Sequence, residues 1–188
     1  MKKLLFLLFF LPLVSFGQNN YKLGGYDKLI KKDIEFRVKK PLPPFEKVEE
    51  SYSLQGNANL VTAFYARTSK NIVALQIYAS NIPSEFGHIN WEEMINSETQ
   101  SRNFLNSFLG ASTNSFMNVS KHKIKTIDGK TFLEAQSTLT ASGVTQKQIN
   151  WITVYKNTFI NILGATLIDS FEKNLSLFMD FSNSVKIK

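Results

Sequence analysis

Two histidines, His88 and His122, are the chain's whole stock of imidazole, and it has no cysteine. Acid–base, nucleophilic and metal chemistry at neutral pH draws first on those two residue types. His88 follows Glu85-Phe86-Gly87 in a loop that leads into a helix start, the kind of position where function is often carried; a solvated side chain is the plainer reading. His122 falls on the apolar face of a hairpin, which suits a hydrogen-bonded structural histidine as well as a ligand or a base. Glu49-Glu50 and Glu92-Glu93 are adjacent acidic pairs. The second follows Asn90, so helix capping accounts for it more simply than paired acid–base work. The sequence has no Gly-x-Ser-x-Gly elbow, no His-Glu-x-x-His and no EF-hand loop, and Gly24-Gly25 lacks the pattern that cradles phosphate. A serine, a histidine and a carboxylate that meet only in the fold leave a hydrolase as the third functional reading. The missing cysteine excludes disulfides, thiol nucleophiles, Cys-type zinc sites and lipid attachment through a lipobox cysteine. No cofactor and no metal site is implied.

These residues need elements to hold them. Residues 18–33 are loose and polar and read as a flexible tether or an early edge element. Ile34-Glu35-Phe36-Arg37-Val38 alternates as a short strand, and Pro41-Leu42-Pro43-Pro44-Phe45 ends it. Leu60 to Ala66 and Ile72 to Ala79 form a hairpin. Asn90-Trp91-Glu92-Glu93 is a capping box that opens a helix to about Leu109, stopped by Gly110. The middle of that helix, Asn96 to Asn103, is wholly polar, which predicts a kink or a split and a gap over whatever lies beneath.

Residues 117–167 read as a meander of four strands. Asp128-Gly129 is a two-residue hairpin turn. It pairs Ile124 with Leu133 and His122 with Ala135 on one face, and Lys123 with Glu134 and Lys121 with Gln136 on the other. Ser142-Gly143 marks the next turn. Lys156-Asn157-Thr158 then joins the last two strands, pairing Val154 with Ile160 and Ile152 with Ile162. Asp169-Ser170-Phe171-Glu172 is a second capping box. The helix it opens carries Phe171, Leu175, Phe178 and Val185, widened by Leu177, Met179 and Phe181, with Lys186 and Lys188 closing it against the helix dipole.

In that register Phe132, Trp151, Tyr155 and Phe159 share the face opposite Ile124, Leu133, Ile152 and Val154. Under a helix they are core, with Lys121, Lys123 and Glu134 as a solvated margin. Left open, they are an aromatic surface that binds a partner or an apolar ligand. Phe45, at the tip of the proline turn, and His88 are weaker loop candidates.

The order of elements resembles the PsbP-like family. The resemblance is carried by Ile34–Pro44, by Ile124–Leu133 around Asp128-Gly129, and by Phe171–Val185, and it spans roughly residues 33–187. It implies an α+β fold in which an antiparallel sheet of about six strands is sandwiched by helices. It also implies a non-catalytic binding or assembly role, as for the plant members, which are lumenal accessory proteins of the oxygen-evolving complex. Many bacterial relatives are exported. No metal-binding position of the family matches here, and none is carried over.

Export is also written at the start of the chain. Met1-Lys2-Lys3, the apolar run Leu4 to Val14 broken only by Pro12, and Ser15-Phe16-Gly17 have the three-part grammar of a secretory signal peptide cut before Gln18. The run is too short for an anchor, so no transmembrane anchor is expected after cleavage. The expected organisation is a signal peptide over 1–17, a tether over 18–33 and a single domain over 34–188, in a bacterial periplasmic or secreted protein. Losing two lysines with the leader leaves 20 basic against 15 acidic residues. That mild excess is dispersed over Lys31-Lys32, Lys39-Lys40 and Lys121/Lys123/Lys125, which argues against nucleic acid. The leading expectation is an exported, non-enzymatic binding or accessory protein with a protein partner. The alternative is a carrier of a small apolar ligand held between sheet and helix.

Overall fold

Among the described residues, three hairpins turn on two residues that both have positive φ: Lys32-Asp33 (52° and 61°), Asp128-Gly129 (50° and 71°) and Lys156-Asn157 (48° and 55°). Positive φ at both central positions lets the turn follow the right-handed twist of its strands. In the computed structural model, residues 21–48, 59–68, 71–82, 87–111, 117–141 and 143–188 are described. The expected leader, residues 1–17, lies outside the described residues, as do Phe86 and Ser142.

The first of these turns joins β1 (Leu23–Lys31) to β2 (Ile34–Pro41). Of the two expectations for residues 18–33, the edge element holds over a nine-residue strand and the flexible tether does not. Gly24-Gly25 sits where the β1–β2 register shifts between Leu23 and Tyr26. A Cβ on Gly24 would lie 2.7 Å from Leu42 Cδ2. The glycine pair thus serves a bulge and a close approach. After the proline turn come β3 (Glu46–Val48), β4 (Leu60–Thr68) and β5 (Asn71–Asn81).

The polar interruption does split the helix. α1 (Trp91–Asn96) and α2 (Glu98–Ala111) part at Ser97, whose backbone is extended. Asn90 Oδ1 accepts from Glu93 N–H at 3.4 Å, and Ser97 Oγ accepts from Gln100 N–H at 3.4 Å, so each helix starts on a side-chain cap.

The meander follows as β6 (Met117–Ile127), β7 (Lys130–Ala141), β8 (Val144–Tyr155) and β9 (Thr158–Leu167). The Asp128-Gly129 register holds as expected, with Ile124 opposite Leu133 and Lys123 opposite Glu134. The β8–β9 register does not. Only Lys156 and Asn157 form the turn, so Val154 pairs with Phe159 and Ile152 with Asn161. A slip of one residue moves every side chain of a strand to the other face, and Phe159 therefore leaves the aromatic set.

The expected second capping box is absent. A 3-10 turn, Ile168–Ser170, precedes α3 (Phe171–Ser184), and Ser170 caps it without a side-chain bond. Lys186 and Lys188 do not extend the helix either. Lys186-Ile187 is a strand, β10, paired with β2. Ile187 N–H donates to Asp128 Oδ2 at 2.9 Å, and Lys130 Nζ donates to the Ile187 carbonyl at 2.8 Å, so the Asp-Gly turn anchors the tail.

Two antiparallel sheets result, β3-β4-β5-β9-β8-β7-β6 and β1-β2-β10, rather than one of about six strands. One face of the large sheet packs on α3 and the small sheet. There Phe132, Trp151 and Ile162 meet Phe171, Phe178 and Phe181, with Phe36 of β2 in the same core. α3 approaches so closely that a Cβ on Gly164 would lie 2.5 Å from Phe178 Cγ. On the other face α1 and α2 bring Met94, Ile95, Phe104 and Leu105 onto Leu133, Ala135, Ile152 and Phe159. The core thus lies on both sides of one sheet, with helices on each. No helix among the described residues is long and apolar enough to cross a membrane.

Candidate functional site

Of the two readings of the aromatic set, core under a helix or open surface, the core holds for Phe132 and Trp151. Phe132 and Trp151 are fully buried beneath α3. Trp151 Nε1 donates to Glu134 Oε2 at 2.8 Å, so the polar edge of the indole is satisfied inside the protein. Lys125 lies over the Trp151 ring, 5.0 Å from its centroid, and donates to Ser182 Oγ of α3 at 3.2 Å. Burial pushes the Lys125 pKa down and nearby Lys123 adds to this, while Glu134 opposes it. The margin expected to be solvated is in part wrapped by α3, because Glu134 is itself buried. Tyr155 is half-buried, with Lys130 Nζ 4.7 Å and Lys156 Nζ 5.4 Å from its ring centroid.

Phe159 packs on the opposite face, with ring centroids 4.5 Å from Phe108 and 6.2 Å from Trp91. The loop candidates do not join a site. Phe45 is buried edge-on against Tyr21 at 4.9 Å, and His88 is exposed in a turn. On the Phe159 face, three side chains form a linear hydrogen-bonded chain. Tyr78 OH donates to Gln76 Oε1 at 2.8 Å, and Gln76 Nε2 donates to Tyr65 OH. Burial raises the pKa of both phenols.

What opens to the outside lies at the other end of that face. A cleft of about 770 Å³ sits between the α1–α2 break and the β6–β7 edge. Ile95 and Leu133, both buried, and Ile124, 48% exposed, give it apolar walls. His122 and Arg102 line it as well. The cause is local: the run Asn96 to Asn103 offers little to bury, so the helices leave Ile124 uncovered. Ser101 is the buried exception, and its hydroxyl donates to the carbonyls of Met94 at 2.9 Å and Ile95 at 3.3 Å. That hydroxyl satisfies the carbonyls freed at the helix break. Arg102 Nη2 pairs with Glu98 Oε1 at 3.2 Å on the rim.

Among the described residues no group of three or more His, Asp or Glu could hold a metal ion. The cleft offers apolar surface under a rim of paired charges, Arg102 with Glu98 and Lys123 with Glu134, which is equipment for holding a chain or a molecule. Sequence reasoning placed Ile124 on an apolar hairpin face without seeing it exposed. The usable signal was the polar run, which foretold a gap.

The solution structure of cyanobacterial PsbP from Synechocystis matches with a TM-score of 0.58 and 14% identity, over 94% of this chain and 99% of that one. The fold is PsbP-like. The crystal structure of LpqN, described as involved in cell envelope biogenesis of Mycobacterium tuberculosis, matches the same PsbP-like arrangement at a TM-score of 0.53 and 10% identity, over 91% and 93% of the two chains. No protein-family model matches the chain, and no curated protein matches it by sequence. At these identities the PsbP-like likeness is one of backbone architecture, and a shared fold does not transfer a site.

Proposed function

We propose that this PsbP-like chain is a non-enzymatic binding or accessory protein that acts after export and engages a protein partner at the cleft beside β6. The observation that carries the proposal is Ile124, a large apolar side chain left 48% exposed in a concave site between helix and sheet. Concave apolar surface ringed by charge is where partners anchor. The signal-like residues 1–17 support export. The neighbours agree in kind, one being a PsbP and the other described as involved in cell envelope biogenesis.

The test is a photo-crosslinking amino acid placed at position 124 in the native host, and in parallel at Ile168, which is 44% exposed ahead of α3. The expected result is a protein adduct from position 124 and none from position 168. Adducts from both positions alike, or from neither, would sink the proposal.

A second reading, a carrier of a small apolar ligand, draws on the same cleft, because its apolar walls lie between sheet and helices. Native mass spectrometry of protein purified from its host decides it. A bound small molecule that disappears in Ile124→Lys supports the carrier, and ligand-free protein counts against it.

A further inference from the structure

Resting on the binding role proposed for the cleft, we propose that its occupant is an extended segment of alternating acidic and apolar residues, added as a further strand along the free edge of β6. The first observation is topological. β6 ends the order of the seven-stranded sheet and pairs only with β7 among the described strands. An edge strand presents alternate N–H and C=O groups outward, and pairing with them is a general way to hold an extended chain. The opposite edge strand, β3, has three residues among those described. β6 has eleven.

The second observation is the groove. α2 packs beside β6, and the break at Ser97 keeps the cleft between them open. A strand lying there would send every second side chain toward Ile95, Ile124 and Leu133, at a spacing of about 7 Å. Main-chain bonds would then supply affinity, and the apolar walls would select what fills them.

The third observation is charge. Met117–Ile127 contains Lys121, Lys123 and Lys125 and no acidic residue, and of these Lys125 is turned onto Trp151 and Ser182. Lys123 has a side chain 65% exposed, whereas its partner Glu134 is 6% exposed and held by Trp151. The cation thus faces outward and the anion inward, whereas across the groove Arg102 is balanced by Glu98. Lysines along an edge keep it from pairing with copies of itself. An acidic strand turns that same repulsion into attraction.

The experiment titrates the protein with a blocked hexapeptide of alternating valine and glutamate, followed by backbone NMR and amide exchange. Expected are shifts and slowed exchange confined to β6 and α2, with binding weakened about tenfold between roughly 50 and 300 mM salt. A valine–lysine hexapeptide should bind at least about tenfold more weakly, as should Ile124→Lys protein with the original peptide. Two N-methylated forms of the valine–glutamate peptide, blocked at odd or at even residues, read the main-chain bonding directly. One form should lose binding and the other keep it, because only alternate amides of an added strand face the edge. Equal loss in both forms, loss in neither, or shifts that spare β6 overturn strand addition. A protein adduct from position 124 with no response to the peptide also overturns it while leaving the binding role intact. Absence of both removes the two together.

Discussion

Under α3 the large sheet meets an unbroken apolar stripe, while under α1 and α2 it meets one interrupted from Asn96 to Asn103. The first contact is sealed. Phe171, Phe178 and Phe181 reach Phe132, Trp151 and Ile162, and Gly164 keeps the space that Phe178 needs. The tail beyond α3 is then fixed by Asp128, which accepts from the Ile187 N–H and lies 3.4 Å from Lys186 Nζ. The second contact is sealed only at its inner end, where Phe104, Phe108 and Trp91 surround Phe159. At its outer end it opens into the cleft. One sheet thus carries stability on the α3 face and access on the other, and a run of polar residues in one helix is enough to make the difference.

Substitutions can break or sharpen that contrast. The largest effect is expected from Phe178→Ala, at about 3–5 kcal/mol in urea unfolding, because a fully buried ring is lost from dense packing. Gly164→Ala comes next, at about 1–3 kcal/mol, since the new Cβ would fall 2.5 Å from Phe178 Cγ. The two should not add. In a Phe178→Ala background the methyl group at position 164 has room, so the second substitution should cost much less.

Asp128→Ala is expected to cost about 1–2 kcal/mol through the bond from Ile187. Burial works against the Asp128 carboxylate, yet the Ile187 N–H together with Lys186 and Lys130 outweighs it and holds the pKa below its ordinary 3.8. A depressed carboxyl pKa contributes stability that is present above the unfolded value and is lost as pH falls through the lower folded value. Wild type and Asp128→Ala should therefore differ at neutral pH and converge in unfolding scans carried below about pH 4. A constant gap across that range would contradict the anchoring role. The smallest stability effect is expected at the cleft. Ile124→Lys should stay within about 0.5 kcal/mol of wild type while binding the valine–glutamate hexapeptide at least about tenfold more weakly. A large loss of stability there would mean that the cleft region is core like the rest.

Which parts of this contrast were legible in the sequence depends on turn chemistry. Asp128-Gly129 announces its own turn, and the register it sets is correct through Lys121 and Gln136. Lys32-Asp33 and Lys156-Asn157 make the same kind of turn without a glycine, so neither announces itself in the sequence. Residues 18–33 fit a tether or an edge element equally well until the Lys32-Asp33 turn is known, and the reading of Lys156-Asn157-Thr158 as the loop puts Phe159 on the wrong face by one residue. β10 is too short for any periodicity to show, and its strand character depends on β2 and Asp128, which lie far away in sequence. The helix split at Ser97 was legible because polar residues at core-facing positions conflict with a buried helix. The exposure of Ile124 was not, because it depends on β6 ending the sheet, and sheet order is set by tertiary pairing.

Whether the α3 face is closed can be measured on one residue. Trp91→Phe leaves Trp151 as the chain's only tryptophan, and it removes an indole N–H that has no acceptor among the described residues. Blue-shifted Trp151 emission that resists acrylamide quenching is the predicted result, and it confines access to the cleft beside β6. Red-shifted emission that acrylamide quenches readily would contradict it, reopening the aromatic face as the binding surface and removing the division of labour between the two faces.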